Sequence, residues 1–125
     1  MNISDLVKQA HETAKEKGWW DREPSFGELI ALCHSELSEA LEEYRVGHSI
    51  SEPSCDCDRH DCFRAGRGCQ DCPELRPEGI PVELADVIIR IADLCGHYDI
   101  DLEAAIGIKM EYNKSRPYRH GGKVI

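Results

Sequence analysis

The stretch VELADVIIRIADLC, Val82 to Cys95, constrains the fold more than any other part of the chain. Ten of its fourteen residues are apolar, and the four that are not, Glu83, Asp86, Arg90 and Asp93, are spaced by three, four and three. Those intervals put the four on a single stripe of a helix whose other sides are apolar. Such a helix must be covered on most sides, so it belongs at the centre of a helical domain with one charged seam. The bland reading is a seam lying on an outer, solvated face. The alternative is an inward-facing seam, whose carboxylates must then be paired or bound to metal. Arg90 can neutralise one of them at most.

Helical punctuation organises the rest. Ile3, Leu6, Val7, Ala10 and Ala14 recur at helical spacing behind Ser4 as an expected N-cap, and Gly18 stands where a glycine would stop that helix. Ser25 and Glu28 have capping-box spacing, and Phe26, Leu29, Ile30, Cys33, Leu37, Ala40, Leu41 and Tyr44 then share a stripe that ends near Gly47. Pro81 suits the first turn of a third helix, Val82 to about Tyr98, and Asp101 is placed to cap a fourth, Leu102 to about Ser115. Nothing alternates with period two, so strands are not expected. The prediction is an all-α, four-helix core in a single domain spanning the 125 residues.

The second helix carries its own acids. SELSEALEEYR, Ser35 to Arg45, holds Glu36, Glu39, Glu42 and Glu43. At about 100° per residue, Glu36, Glu39 and Glu43 lie within about 60° of one another along one edge of the apolar stripe, while Glu42 points elsewhere. A solvated acidic face is the ordinary outcome for such a run. If this edge faces the seam of the third helix, however, like charges ~4 Å apart repel by about 4 kcal/mol per pair at an effective dielectric of ~20. A few such pairs rival the ~5 to 15 kcal/mol stability of a whole domain. Either the carboxylates protonate or a cation sits between them. An all-oxygen site of this kind suits Mg2+ or Mn2+ better than zinc.

One segment breaks the helical pattern. Residues 52–77 are rich in Cys, Asp, Gly and Pro without apolar periodicity, and read as a Cys-rich insertion between helices two and three. Within it, CDCDRHDCFRAGRGCQDC contains Cys55, Cys57, His60, Cys62, Cys69 and Cys72. Cys69-x-x-Cys72 has zinc-knuckle spacing, whereas the other intervals are less regular. Four of these six side chains as ligands of a structural Zn2+ is one reading; disulfides, free thiols or an iron–sulfur segment are the others, and a reducing compartment disfavours resting disulfides. Cys33 and Cys95 fall at apolar helical positions and are expected in the core. His34 and His97 have no partner at ligand spacing and read as structural or surface residues.

The charge balance narrows the partners. With 24 acidic against 15 basic residues, the chain has no broad basic footprint for duplex nucleic acid. The one basic region is KMEYNKSRPYRHGGKVI, where Lys109, Lys114, Arg116, Arg119 and Lys123 face a single acid, Glu111. Lys109, Asn113 and Arg116 fall at i, i+4 and i+7 and would present one face to a polyphosphate; a solvated tail is the competing reading. No apolar run reaches the ~20 residues needed to span a bilayer. The N-terminal stretch is amphipathic rather than a signal sequence, which suggests a cytoplasmic protein without a membrane partner. The Trp19-Trp20 pair between the first two helices suits core packing, or a wall for a base by stacking.

Glu36-x-x-Glu39 followed by Glu83-x-x-Asp86 resembles the signature of the MazG-like all-α nucleoside triphosphate pyrophosphohydrolases, a family related to the dimeric dUTPases. GWWDREPSFGELIALCHSELSEALEEYR, PEGIPVELADVIIRIADLCGHYDID and KMEYNKSRPYRHGGK are similar, in order, to stretches of the small single-domain members. The 52–77 insertion is longer than the family's usual connection. The resemblance implies hydrolysis of an NTP or dNTP to the monophosphate and pyrophosphate, as in nucleotide-pool housecleaning, with Mg2+ held by Glu36, Glu39, Glu83 and Asp86. It also implies a nucleotide contact at Asn113 and a base wall at Trp20, whose Trp20-Asp21 resembles the pair preceding the acidic helix. Glu36 and Glu39 are the candidates for the base that deprotonates water. A homodimer or homotetramer is expected both from the family and from the apolar breadth of the third helix. The alternative function is a non-enzymatic metal-binding or redox-responsive module carried by the cysteines. A di-iron carboxylate bundle would require Glu-x-x-His pairs, which this chain lacks.

Overall fold

In the computed structural model, residues 1–55 and 76–118 are described, Cys55 by its backbone alone. Cys57, His60, Cys62, Cys69 and Cys72, the Cys55 side chain, and Arg119 and Lys123 therefore lie outside the described residues, and with them the zinc-ligand expectation. The described elements are α1 (Ile3–Glu16), α2 (Phe26–Arg45), β1 (Ser54–Cys55), β2 (Pro77–Glu78), α3 (Ile80–His97) and α4 (Leu102–Ser115). The fold is all-α, as the periodicity predicts.

Local chemistry sets the helix ends. α1 is capped two residues before the expected Ser4: the Asn2 side chain accepts from the Asp5 backbone N–H and Asp5 reaches back to Asn2, a reciprocal pair that Ser4 has no equivalent for. α2 begins with the expected box, Ser25 Oγ accepting from Glu28 N at 3.2 Å and Ser25 N donating to Glu28 at 3.0 Å. α3 begins at Ile80, two residues before the expected start, because Gly79 takes φ 105°, a conformation open to glycine, and leaves Pro81 inside the first turn. Asp101 caps α4 as expected, accepting from Ala104 N at 3.0 Å.

α3 is the central element, packed on α1 to one side and α2 to the other, while α4 rests on α1. Cys33, Leu94 and Cys95 form the core cluster, with Val7, Leu29, Ile91 and Leu102 against it. Both cysteines are free and buried, as their helical positions predict, and burial pushes both thiols up. α1 and α3 approach closely at Gly96, where a Cβ would lie 2.6 Å from the Cβ of His11. The coverage of α3 is incomplete within one chain: Leu84 and Ile88, one turn apart, remain 46% and 52% exposed.

One departure concerns the ends of the insertion. Ser54 pairs with Glu78 and Cys55 with Pro77 in a two-residue antiparallel ladder. So short a ribbon leaves no period-two pattern to read in a sequence. It ties residues 54–55 to the N-terminus of α3.

Candidate metal centre

The α2–α3 contact brings the two acidic seams together. Carboxylate oxygens of Glu36, Glu39 and Glu83 all lie within 4.8 Å of one another. Asp86 follows Glu83 by one turn of α3 and lines the same cleft as Glu39 and Glu83. The electrostatics carry the mark of crowded like charge. Glu83 is pushed up to about 7, first by burial, then by its hydrogen bond with Glu39 and by the charges of Glu39, Asp86 and Glu36. Asp86 is raised by burial and by Glu36, with Arg90 opposing. Among the described residues, no cation forms an ion pair with Glu39, Glu83 or Asp86.

Arg90 neutralises one carboxylate, and the structure identifies it as Glu36: Arg90 Nε donates to Glu36 Oε1. Glu36 is the buried member of the cluster, 7% exposed. Its pairing follows from the register, since Arg90 sits one turn beyond Asp86 on the α3 seam. Arg90 also lies over the indole of Trp19, 5.5 Å from the ring centroid.

The acidic cleft is a cavity of about 530 Å3 between α2, α3 and the residues leading into α3. Arg76, Pro77 and Glu78 form one wall, so the stem of the Cys-rich insertion borders the acids. Glu42, expected to point elsewhere, lines the cleft and pairs with Arg45 at 3.2 Å. Glu43 meets His48, and Glu78 pairs with Arg76 at 3.0 Å. Among the described residues the rim acids thus have basic partners, whereas Glu39, Glu83 and Asp86 form no ion pair. The converging oxygens of Glu36, Glu39 and Glu83, two of them without a cationic partner among the described residues, fit a hard divalent cation.

The other end of the α3 seam is built differently. Asp93 Oδ1 accepts from Trp20 Nε1 at 2.8 Å and lies 2.8 Å from His11 Nδ1. Trp20 in turn stacks on His97, centroids 3.9 Å apart and planes 10° from parallel, and His97 Nε2 lies 2.9 Å from Glu23. One face of Trp20 is therefore taken by an imidazole, and Trp19 is the indole open to solvent, 61% exposed. His97 is structural, in line with the sequence, although its partner Glu23 lies 74 residues away and no local spacing announces the pair.

The basic face of α4 is not part of the cleft. Lys109, Asn113 and Arg116 are exposed, and Lys109 and Arg116 lie over the Tyr112 ring at 4.9 and 6.0 Å. None of them lines the acidic cavity within one chain. Arg76, Pro77 and Glu78 are cleft residues that the sequence reading missed, because they lie in the short stretch leading into α3, outside any helical period. Comparison with known proteins returned no family model, no curated protein and no solved structure that matches the chain.

Proposed function

We propose that this chain is a Mg2+- or Mn2+-dependent pyrophosphohydrolase that cleaves a nucleoside triphosphate to the monophosphate and pyrophosphate. The observation that carries the reading is the convergence of Glu36, Glu39 and Glu83, with Asp86 beside them and the Glu83 carboxyl raised to about 7. Carboxylates that share protons for want of a counter-charge are a site tuned for a cation. The resemblance of the two acidic motifs to the MazG-like enzymes points the same way.

Glu39, Glu83 and Asp86 would hold the ion, with Glu36 at its edge, neutralised by Arg90. A divalent ion there would supply charge neutralisation at phosphate oxygens and acidify a water. Glu39 is better suited than Glu36 to accept the proton of the attacking water, because the Arg90 guanidinium already occupies a Glu36 carboxylate oxygen. The proton then leaves through the solvent-open side of the cleft, where Glu39 is exposed.

A triphosphate also needs cations that one chain's cleft supplies sparingly. Lys109 and Arg116 on α4, and Arg119 and Lys123 beyond it, serve this role, with Asn113 as a neutral hydrogen-bonding contact, in an assembly where α4 of a second copy closes the cleft. The uncovered Leu84 and Ile88, with Leu37 and Leu41 on α2, offer apolar surface for that contact. A homodimer or homotetramer follows, and a monomer by light scattering at micromolar concentration contradicts it. Among the described residues no helix is long and apolar enough to cross a membrane; a cytoplasmic setting is part of the proposal.

For the insertion, the proposal is a structural Zn2+ on four of Cys55, Cys57, His60, Cys62, Cys69 and Cys72. The β1–β2 ladder supports it by bringing the two ends of the segment together. Metal bonds would substitute for the apolar core the segment lacks. Elemental analysis of protein purified under reducing conditions should find about one zinc per chain; freely titrating thiols with no metal would contradict it.

The decisive assay for the enzyme is a panel of nucleoside triphosphates with Mg2+, scored for pyrophosphate. At least one should be turned over and inhibited by chelation. Metal-stimulated activity on none of them would favour the non-enzymatic metal-binding or redox-responsive module instead.

A further inference from the structure

Glu36 belongs to two groupings at once. One of its carboxylate oxygens lies within 4.8 Å of oxygens from Glu39 and Glu83, and its Oε1 accepts from Arg90 Nε. The Glu36 side chain is 9% exposed and that of Arg90 27%, so water screens the pair only in part. The guanidinium also lies over the Trp19 indole, a second attraction that keeps it in place. We infer that Arg90 is a resident counter-charge of the metal centre: it lowers the affinity for a bare divalent cation and favours a cation that arrives on a polyphosphate. The inference rests on the metal-dependent function proposed above, and adds to it a residue that sets which form of the metal the site takes.

Two kinds of positive charge can quiet a crowded carboxylate, and they differ in what happens when a metal arrives. A proton shared among acids dissociates and leaves the full carboxylate charge to the ion. A guanidinium stays charged at any pH a protein tolerates, so the ion binds against a permanent like charge. A carboxylate has lone pairs enough to keep Arg90 and still offer oxygen to a metal, so the cost to the ion is electrostatic rather than the loss of a ligand. A polyphosphate reverses the balance. Six acids and one arginine line the cleft, so a bare anion is repelled there. Arg90 stands one helical turn beyond Asp86, a lining residue, and attracts the same phosphate charge that the acids repel. It thus acts in opposite directions on the free ion and on its phosphate complex. If Arg90 served only to satisfy a buried acid, its removal would disorder the centre and weaken both.

The test uses the full chain, with Mn2+ as the probe ion read by electron paramagnetic resonance. Arg90→Met removes the charge and keeps an unbranched side chain; it should bind Mn2+ about tenfold more tightly than the wild type. Its KM for the Mg2+ complex of the preferred triphosphate should move the other way, upward by about tenfold. Arg90→Lys keeps the charge and should stay within about threefold of wild type in both. Arg90→Met leaves Glu36 buried without its partner, so it should melt lower without metal and recover on adding Mn2+. The wild type gives a second reading where Arg90→Met does not fold. Its Arg90 Nε–H resonance, assigned by its absence from Arg90→Lys, should shift saturably along a Mg2+ titration. Mn2+ binding in folded Arg90→Met equal to or weaker than wild type would overturn the inference and leave the metal centre standing. So would an Arg90 resonance indifferent to Mg2+, or a KM that falls together with the Mn2+ dissociation constant. A wild type that binds Mn2+ but hydrolyses no triphosphate would defeat the enzymatic reading, and tighter Mn2+ binding by Arg90→Met would still support the counter-charge. No saturable Mn2+ binding by the wild type would end both.

Discussion

The α3 seam has two ends, and they solve the problem of a half-buried carboxylate in opposite ways. At one end Asp93 is met by the Trp20 indole N–H and by His11, both at 2.8 Å. At the other, Glu83 and Asp86 are pushed up first by burial and then by neighbouring carboxylates, with Arg90 opposing only at Asp86. Residue type and helical stripe are the same, so the difference lies in what the neighbouring helix presents. A carboxylate whose partners are supplied by the fold stabilises that fold. One whose partners are withheld costs stability and is retained for a ligand that brings the missing charge.

The sharpest way to break this comparison is to remove one acid from each end. Glu39→Gln or Asp86→Asn should lower turnover by ~10³ or more, about 4 kcal/mol of barrier, with the helical spectrum and melting transition preserved. Wild-type turnover in both would dissolve the distinction. Asp93→Ala should instead act on stability, leaving two ring N–H groups short of a partner at a cost of about 1–3 kcal/mol. Its signature is a melting temperature lower by several degrees. Gly96→Ala tests the same end independently: the added methyl meets His11 Cβ at 2.6 Å and should destabilise by about 1–3 kcal/mol through overpacking. A melting temperature equal to wild type in both would show that this end is not structural.

Glu83→Gln should move stability in the other direction. Removing one of the crowded charges relieves repulsion, so without metal the variant should melt above the wild type, by less than the Asp93→Ala loss. The sign would distinguish a strained functional cluster from an ordinary ion-pair network, in which every deletion destabilises. The smallest effect is in pH. Glu83 holds its proton to about 7 in the folded state against an ordinary value of 4.5, so the folded state binds more protons between those values. Stability contributed by this group is full below about 4.5 and is lost as pH rises through about 7. The wild-type minus Glu83→Gln difference in melting temperature should therefore become more negative from pH 5 to 8 without metal, and saturating Mg2+ should flatten it. A pH-independent difference would mean that Glu83 is not titrating in this range.

The fold was legible because its signals are local. Ser25, Glu28 and Asp101 act within one turn, and α3 announces its central place by composition. The N-cap of α1 lies two residues before the expected Ser4 because Asn2 and Asp5 form a reciprocal pair, two adequate capping residues standing within three positions of the chain. The acidic pair of motifs was legible as well, since i, i+3 spacing and an inward stripe are properties of single helices. What was hidden depends on contacts between distant segments. Arg76 and Glu78 border the cleft from the stretch that leads into α3, Glu36 rather than another acid takes Arg90 because of the α2–α3 register, and Trp20 turns toward Asp93 and His97 while Trp19 stays open. No spacing in the chain encodes those choices.

The most direct measurement is Mn2+ binding to the full chain, followed by electron paramagnetic resonance, for the wild type, Glu39→Gln and Asp93→Ala. The two-ended seam predicts saturable binding by the wild type that Mg2+ competes away, its loss in Glu39→Gln, and its retention in folded Asp93→Ala. Absence of saturable Mn2+ binding in the wild type, or equal binding in Glu39→Gln, would contradict the claim that the α2–α3 carboxylates form a metal centre.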